Sequence, residues 1–285
     1  MMGPLTKDTE SGGRTVGRSP SDEQQYWDDI AHEWTKNAQD RVWRAHSDAV
    51  NTGLCERWLS EEPVRNLLKT DLFDEAVGEG LWDFLRSRAD VVMGMDVSIK
   101  TLREARSLRP RTPVTCADVR RLPFASDSFD AVISNSTLDH FHSLTDMAAS
   151  LKELSRIMRP GGRLVITIDN LANPAIALRN FLPFRWLHRF GVVPYYVGAT
   201  CGPIRLKRML ENAGMEVLES TSILHCPRVI GVIMARWLQI YATPNLQARF
   251  GNWLMKWECL ARFPTRHITG NFVAIHCLKP DRGGT

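Results

Sequence analysis

Residues 91–98 read VVMGMDVS, residues 115–124 read TCADVRRLPF and residues 126–141 read SDSFDAVISNSTLDHF. Two short apolar runs each stop at an acid, Asp96 and Asp118, and a third, DAVISN, stops at Asn135. Between the first two, Ile99–Leu108 exchanges apolar and charged residues at helical period. Strands alternating with helices predict a parallel α/β sheet. Such sheets bind ligands beyond the carboxyl ends of their strands. Acids placed there can accept hydrogen bonds from ribose hydroxyls and an adenine amine, which points to an adenosine-bearing cofactor.

The same alternation extends outward. Strands are expected over Asn66–Phe73, Asp90–Asp96, Pro113–Asp118, Phe129–Asn135 and Arg163–Asp169, then Met215–Leu224 and Asn271–Leu278. Leu144–Met158 is a strongly amphipathic helix that Arg159-Pro160-Gly161-Gly162 should stop and turn. Pro203–Ala213 is another helix, closed by Gly214. Upstream, Tyr26, Trp27, Ile30, Ala31 and Trp34 fall at helical spacing after Ser21-Asp22-Glu23, and Ala45–Leu59 gives a second helix. The expected organisation is a tail at 1–21, disordered from its Gly, Ser, Thr and charge content, and an N-terminal helical cap at 22–63. The α/β core follows at 64–280 and a short tail at 281–285. Two insertions, about 171–201 and 226–269, break the alternation and are rich in aromatics and Arg.

The chain has 285 residues, 44% hydrophobic and 24% charged, with net charge +4. The basic residues are spread out rather than packed in runs, so nucleic acid is not an expected partner. Six cysteines stand without a CxxC pair, which argues against a metal site and for free thiols in a reducing cytoplasm. Met1–Pro20 lacks the apolar run of a signal peptide, and no stretch reaches the ~18 apolar residues of a membrane span.

LPFASDSFDAVISNSTLDHF (122–141) followed by MRPGGRLVITI (158–168) resembles the class I S-adenosylmethionine-dependent methyltransferases, over roughly Tyr26 to Pro280. The resemblance implies a Rossmann-like, seven-stranded, mostly parallel sheet with helices on both faces, its last strand inserted antiparallel, plus helical cap insertions. It implies S-adenosyl-L-methionine as cofactor and methyl transfer by direct displacement. One motif departs from the family. The acid and GxGxG turn expected after the first strand is replaced by LLKTDLFDEAVGEG (67–80). In one register Asp74 stands for the acid, and Ala76, Gly78 and Gly80 for the glycines. In the other, favoured because the apolar strand ends there, Lys69-Thr70-Asp71 closes the strand and Asp71 takes the first glycine's place.

On this reading Lys69, Thr70, Asp71, Asp74, Glu75 and Gly78 are candidates for the cofactor's methionine portion. Asp96 and Val97 fall at the ribose, and Asp118 and Val119 at the adenine. Asn135 is a further contact at the end of the fourth strand. Each has a plainer use: Asp96 as a helix cap near Ser98, Asp118 as a turn acid, DEAVGEG as a polar turn. His140 is the candidate general base, since histidine titrates near neutrality. Its alternative, shared with Asp139, is to cap or orient the loop. Asp139, Tyr195 and Tyr196 are the candidates for acceptor binding. The acceptor cavity should lie beneath three pieces: the N-terminal helices near Trp27 and Trp43, the insertion around Tyr195-Tyr196, and the 226–269 helices.

The expected activity is methylation of a small-molecule or lipid-like acceptor, most readily at oxygen. The aromatic insertions serve as core packing, or more sharply as an acceptor pocket or a peripheral membrane contact. Two other classes compete. A nicotinamide-dependent oxidoreductase could use Asp96 but should carry GxGxxG. A catalytically silent relative would keep the fold without the cofactor. The oligomeric state is not legible.

Overall fold

A computed structural model describes residues 20–37, 40–189, 193 and 195–281. The expected tails at 1–21 and 281–285 therefore fall almost wholly outside the described residues. Two helices come first, α1 (Pro20–Asn37) and α2 (Arg41–Trp58). The core then runs β1 (Val64–Lys69), α3 (Phe73–Val77), α4 (Trp82–Arg86), β2 (Ala89–Asp96), α5 (Ile99–Leu108), β3 (Val114–Cys116) and β4 (Phe129–Asn135). After α6 (Leu144–Ile157) and β5 (Met158–Asp169) comes the first insertion, with α7 (Pro174–Phe181) and α8 (Phe184–Arg189). It is followed by α9 (Pro203–Asn212) and β6 (Glu216–Ile223). The second insertion holds α10 (Arg228–Tyr241), α11 (Pro244–Lys256) and α12 (Arg266–Thr269), before β7 (Phe272–Leu278).

The seven strands form one sheet, ordered β3-β2-β1-β4-β5-β7-β6. The pairs β3/β2, β2/β1, β1/β4 and β4/β5 are parallel, and β7 lies antiparallel between β5 and β6. The central strands carry apolar runs, Leu67-Leu68, Ala131–Ile133 and Leu164–Ile166, where helices cover both faces. Their alternation sorts neighbours to opposite sides. Leu68, Val132, Leu164 and Ile166 meet Leu151 and Leu154 of α6 and Leu206 of α9. Leu67, Ala131, Ile133 and Val165 meet Trp58 of α2, Leu85 of α4 and Leu102 of α5.

Two expectations shift. The first strand, expected to reach Phe73, ends at Lys69. The Asp71 carboxylate accepts from the Phe73 amide at 2.9 Å, and Asp96 accepts from the Leu72 amide at 3.1 Å. Together they turn the chain into α3 four residues early. The fifth strand begins at Met158, not Arg163, since Met158 already pairs with Phe129. The RPGG segment forms an irregularity inside the strand, with Gly161 at φ +75°.

The caps of the two chain ends pack on each other. Trp43 of α2 joins Ala235 and Leu238 of α10 and Phe250 and Leu254 of α11 in a separate apolar cluster. Gly231 permits this approach, for a Cβ there would lie 2.8 Å from the Trp43 ring.

Candidate active site

The strand ends of the parallel half converge on one cavity, with an empty volume of about 970 Å³ including its open mouth. Thr70, Asp71, Phe73 and Asp74 line it from the β1–α3 turn, and Asp96 and Val97 from the end of β2. Asp118, Val119 and Arg120 follow β3, and Asn135 ends β4. His140 comes from the 3-10 turn Leu138–His140, and Tyr195 from the first insertion. Glu23 and Trp27 of α1 and Arg44 of α2 close the other side.

The cavity is acidic, with five carboxylates against two guanidiniums. Asp96 is buried, and its oxygens accept from the amides of Leu72 and Ser98 at 3.1 and 2.8 Å. Ser98, not Asp96, caps α5, its hydroxyl accepting from the Thr101 amide. Burial, then the nearby Asp71 charge, pushes the Asp96 carboxyl up to about 8 despite those amides. Burial also raises Asp71, to about 6, against the pull of Lys69. Asp118 is held by Arg120, whose Nε lies 2.9 Å from Oδ2, and the same guanidinium reaches Glu23 at 2.5 Å. Helix α1 is thereby tied to the β3 end of the site. Asp74 pairs with Arg44, which lies over the rings of Trp34 and Phe73, 4.9 and 5.0 Å from their centroids. Asn135 donates to Asn51 at 2.9 Å, and its own Oδ1 is buried without a partner.

One end of the cavity is aromatic. The His140 ring lies 4.9 Å from Trp27 and 5.6 Å from Tyr195, centroid to centroid, and Tyr195 also meets Trp34 and Phe73. His140 Nδ1 stands 3.2 Å from the Tyr196 carbonyl. A carbonyl only accepts, so Nδ1 carries the proton and Nε2 is the free lone pair of the neutral ring.

Several expected site residues stand behind the wall instead of in it. Lys69 and Glu75 are each 1% exposed and pair with each other at 2.9 Å. Lys69 also donates to the Asp71 carbonyl, and Glu75 accepts from the Leu81 amide. Gly78 and Gly80 lie past α3, where the Gly78 carbonyl accepts from Arg109. Asp139 is fully buried, accepting from the Asp169 amide at 2.8 Å and the Ser136 hydroxyl at 3.0 Å. It lies 3.9 Å from His140 Nε2 and joins the β4 turn to β5. Tyr196 lines a second, more open cavity with His142, Arg179 and Phe181, and its hydroxyl meets His142 at 3.1 Å. The 226–269 helices, expected over the site, supply no lining residue; α10 and α11 pack on α2, where Trp43, also expected near the acceptor, is buried among them. Sequence reasoning passed over Arg44, Arg120 and Glu23. Only the ARG-ARG pair after Asp118 offered a signal, since an acid followed two residues later by Arg can close on itself.

Gly198 locks the tyrosine segment onto the His140 turn. Its amide donates to the Asp139 carbonyl at 2.8 Å, and the Ala199 amide to the Phe141 carbonyl at 2.7 Å. A Cβ at Gly198 would run into the backbone of His140 and Phe141. Gly198→Ala should therefore cost about 1–3 kcal/mol or more through forced backbone shifts, measurable as a lowered urea midpoint.

Residues 75–166 match the family described as a methyltransferase domain. A demethylmenaquinone methyltransferase of Streptomyces avermitilis is 30% identical over 160 residues, covering 53% of this chain and 62% of that protein. One of Beutenbergia cavernae is 31% identical over 158 residues, covering 53% and 59%. The matched part thus spans about three-fifths of the length of these curated relatives. Among solved structures, the complex of the Haloferax volcanii Trm112 methyltransferase activator superposes with TM-score 0.59 at 18% identity, over 92% of this chain and 99% of that one. The [4+2]-cyclase SpnF superposes with TM-score 0.55 at 18% identity, over 81% and 80%.

Proposed function

Because this chain belongs to the class I S-adenosylmethionine-dependent methyltransferase family, we propose that its acidic cavity holds S-adenosylmethionine and that it methylates a small apolar acceptor bearing a ring hydroxyl. The observation that carries the reading is the pairing of a carboxylate-rich strand edge with an aromatic pocket around His140 in one cavity.

The residues suit that cofactor. It is cationic and rich in donors: an ammonium, two ribose hydroxyls and an adenine amine. The cavity offers the complement, with Asp96 for the hydroxyls, Asp118 and the Val119 amide for the adenine, and Thr70, Asp71 and Asp74 for the methionine portion. The unpartnered Asn135 Oδ1 is an acceptor in want of a donor. A dinucleotide would instead bring its pyrophosphate to these carboxylates, with no glycine cradle to receive it. When bound, the cofactor supplies a methyl group already activated by its sulfonium.

The chain's own residues then align and exclude water. Tyr195, Trp27 and Phe73 make a dry wall whose ring faces suit a positive centre. His140 Nε2 takes the acceptor's proton, with Nδ1 fixed by the Tyr196 carbonyl. Oxygen is the atom we propose, while deprotonating a ring hydroxyl also enriches the neighbouring ring carbons. The relatives named for demethylmenaquinone favour a quinone-like ring as acceptor. Lys69 and Glu75 act by holding the Asp71 turn, and Asp139 by holding the His140 turn.

Calorimetry tests the cofactor. Heat with S-adenosylmethionine and its demethylated product, and none with NAD, is expected; a flat trace with both sulfur compounds overturns the reading. Labelled methyl transfer to hydroxylated naphthalene rings, with the product identified by NMR, tests the acceptor. His140→Ala should slow that transfer about a hundredfold, the low end of general base catalysis, with cofactor affinity unchanged. Equal rates would remove His140 from the reaction.

A further inference from the structure

Helix α10 is apolar on both sides. Its inner face, Gly231, Ala235 and Leu238, packs on α2 and α11. Its outer face carries Val229, Ile230, Ile233, Trp237, Ile240 and Tyr241, each more than half exposed, with Ile240 at 71%. Among the described residues, the exposed large apolar side chains are concentrated in this way. All but Val91, Ile99, Leu108, Ile204 and Leu218 belong to segments 171–201 and 226–269. A helix apolar all round is ordinarily covered, and contiguous patches of this kind mark interaction sites.

Charge selects the occupant. Those two segments hold nine of the chain's 36 basic residues and one of its 32 acids, a net +8, while the rest of the chain is net −4. The single acid, Glu258, is turned inward to the amides of Leu224 and His225. Arg185, Arg189, Arg249, Lys256 and Arg262 are exposed, and among the described residues no ion pair engages them. The two segments meet at Asp169, which binds Arg179 of α7 at 2.8 Å and Arg228 of α10 at 3.2 Å. A second copy would bring like charge onto like charge. With 14 residues, α10 is too short to span a bilayer, which takes about 20, and among the described residues no helix is long and apolar enough to cross. Apolar bulk, Trp and Tyr on the same face and flanking Arg and Lys are the composition of an element lying in the plane of a bilayer surface.

We propose that the outer face of α10, with the exposed residues of α11 and of α7–α8, docks this protein on an anionic membrane surface. The surface is distinct from the cofactor cavity and does not depend on the reaction assigned to it. Flotation of the full chain with vesicles of equal parts phosphatidylcholine and phosphatidylglycerol, against pure phosphatidylcholine, tests it. Binding at least tenfold stronger to the anionic vesicles is expected, weakening as salt rises. Ile233→Glu with Trp237→Glu should abolish it, and Arg249→Glu with Lys256→Glu should weaken it at least tenfold, both with unchanged urea midpoints. Four results would overturn the proposal: no flotation, equal flotation with neutral vesicles, flotation indifferent to both variants, or sedimentation showing a dimer that Ile233→Glu with Trp237→Glu dissociates.

Discussion

Asp96→Ala should bind S-adenosylmethionine a hundredfold or more weaker than the wild type while folding normally. Two donors from the ribose would each make a charge-assisted bond to this carboxylate, worth about 1.5–3 kcal/mol. Losing both removes about 3–6 kcal/mol, and each 1.4 kcal/mol is tenfold in Kd. The backbone amides of Leu72 and Ser98 that now donate to Asp96 would lose their acceptor, so the urea midpoint is the necessary control. The same residue sets a pH dependence. Burial holds its pKa near 8 in the free protein, and donors from the ligand favour the ionised form. Binding below that pH must therefore expel a proton, and affinity should rise up to tenfold per unit between about pH 6 and 8, then level off. Calorimetry in buffers of different ionisation enthalpy reads the proton directly. Wild-type affinity in Asp96→Ala would refute the ribose assignment.

Lys69→Met should be the most destabilising single change behind the site, by about 3–5 kcal/mol in urea unfolding. The ammonium and the Glu75 carboxylate are each 1% exposed and 2.9 Å apart. Burial alone would lower the lysine's pKa; Glu75, with Asp71 and Asp74, holds it above its ordinary value. Deleting the cation strands the anion, and it also frees the Asp71 carbonyl that Lys69 binds. Lys69→Met with Glu75→Gln should recover much of the loss, because the cost lies in the unpaired charge more than in the missing bond. A single variant as stable as the wild type would show that water reaches Glu75.

The sheet was legible because parallel strands buried on both faces write themselves as apolar runs, as in DAVISN and LVITI, each ending at a polar residue. Asp96 and Asp118 were legible because each follows a shorter apolar run, VVMGM and PVTCA. What sequence could not show was which polar residues of KTDLFDEAVGEG turn inward. Lys69 and Glu75 have the composition of a binding loop and the geometry of a buried brace, and only three-dimensional packing separates the two. The second insertion misled in another way. Its aromatics suit a pocket lid as well as an outer face, and α10 turns Trp237 and Tyr241 to solvent while Trp43, expected near the acceptor, is spent on holding α10. The superposable [4+2]-cyclase is a reminder that this scaffold alone does not fix a reaction.

The contact between Trp43 and Gly231 also has a consequence for biosynthesis. Roughly 190 residues separate the two partners, so at about 5–20 residues per second the ribosome delivers α10 some 10–40 s after α2. Through that interval Trp43 and Val42 have no α10 or α11 to bury them, and β5 lacks the strand β7 that later inserts beside it. The nascent chain thus carries these apolar surfaces uncovered until α10, α11 and β7 have been made, and a variant lacking those elements would leave them exposed for good.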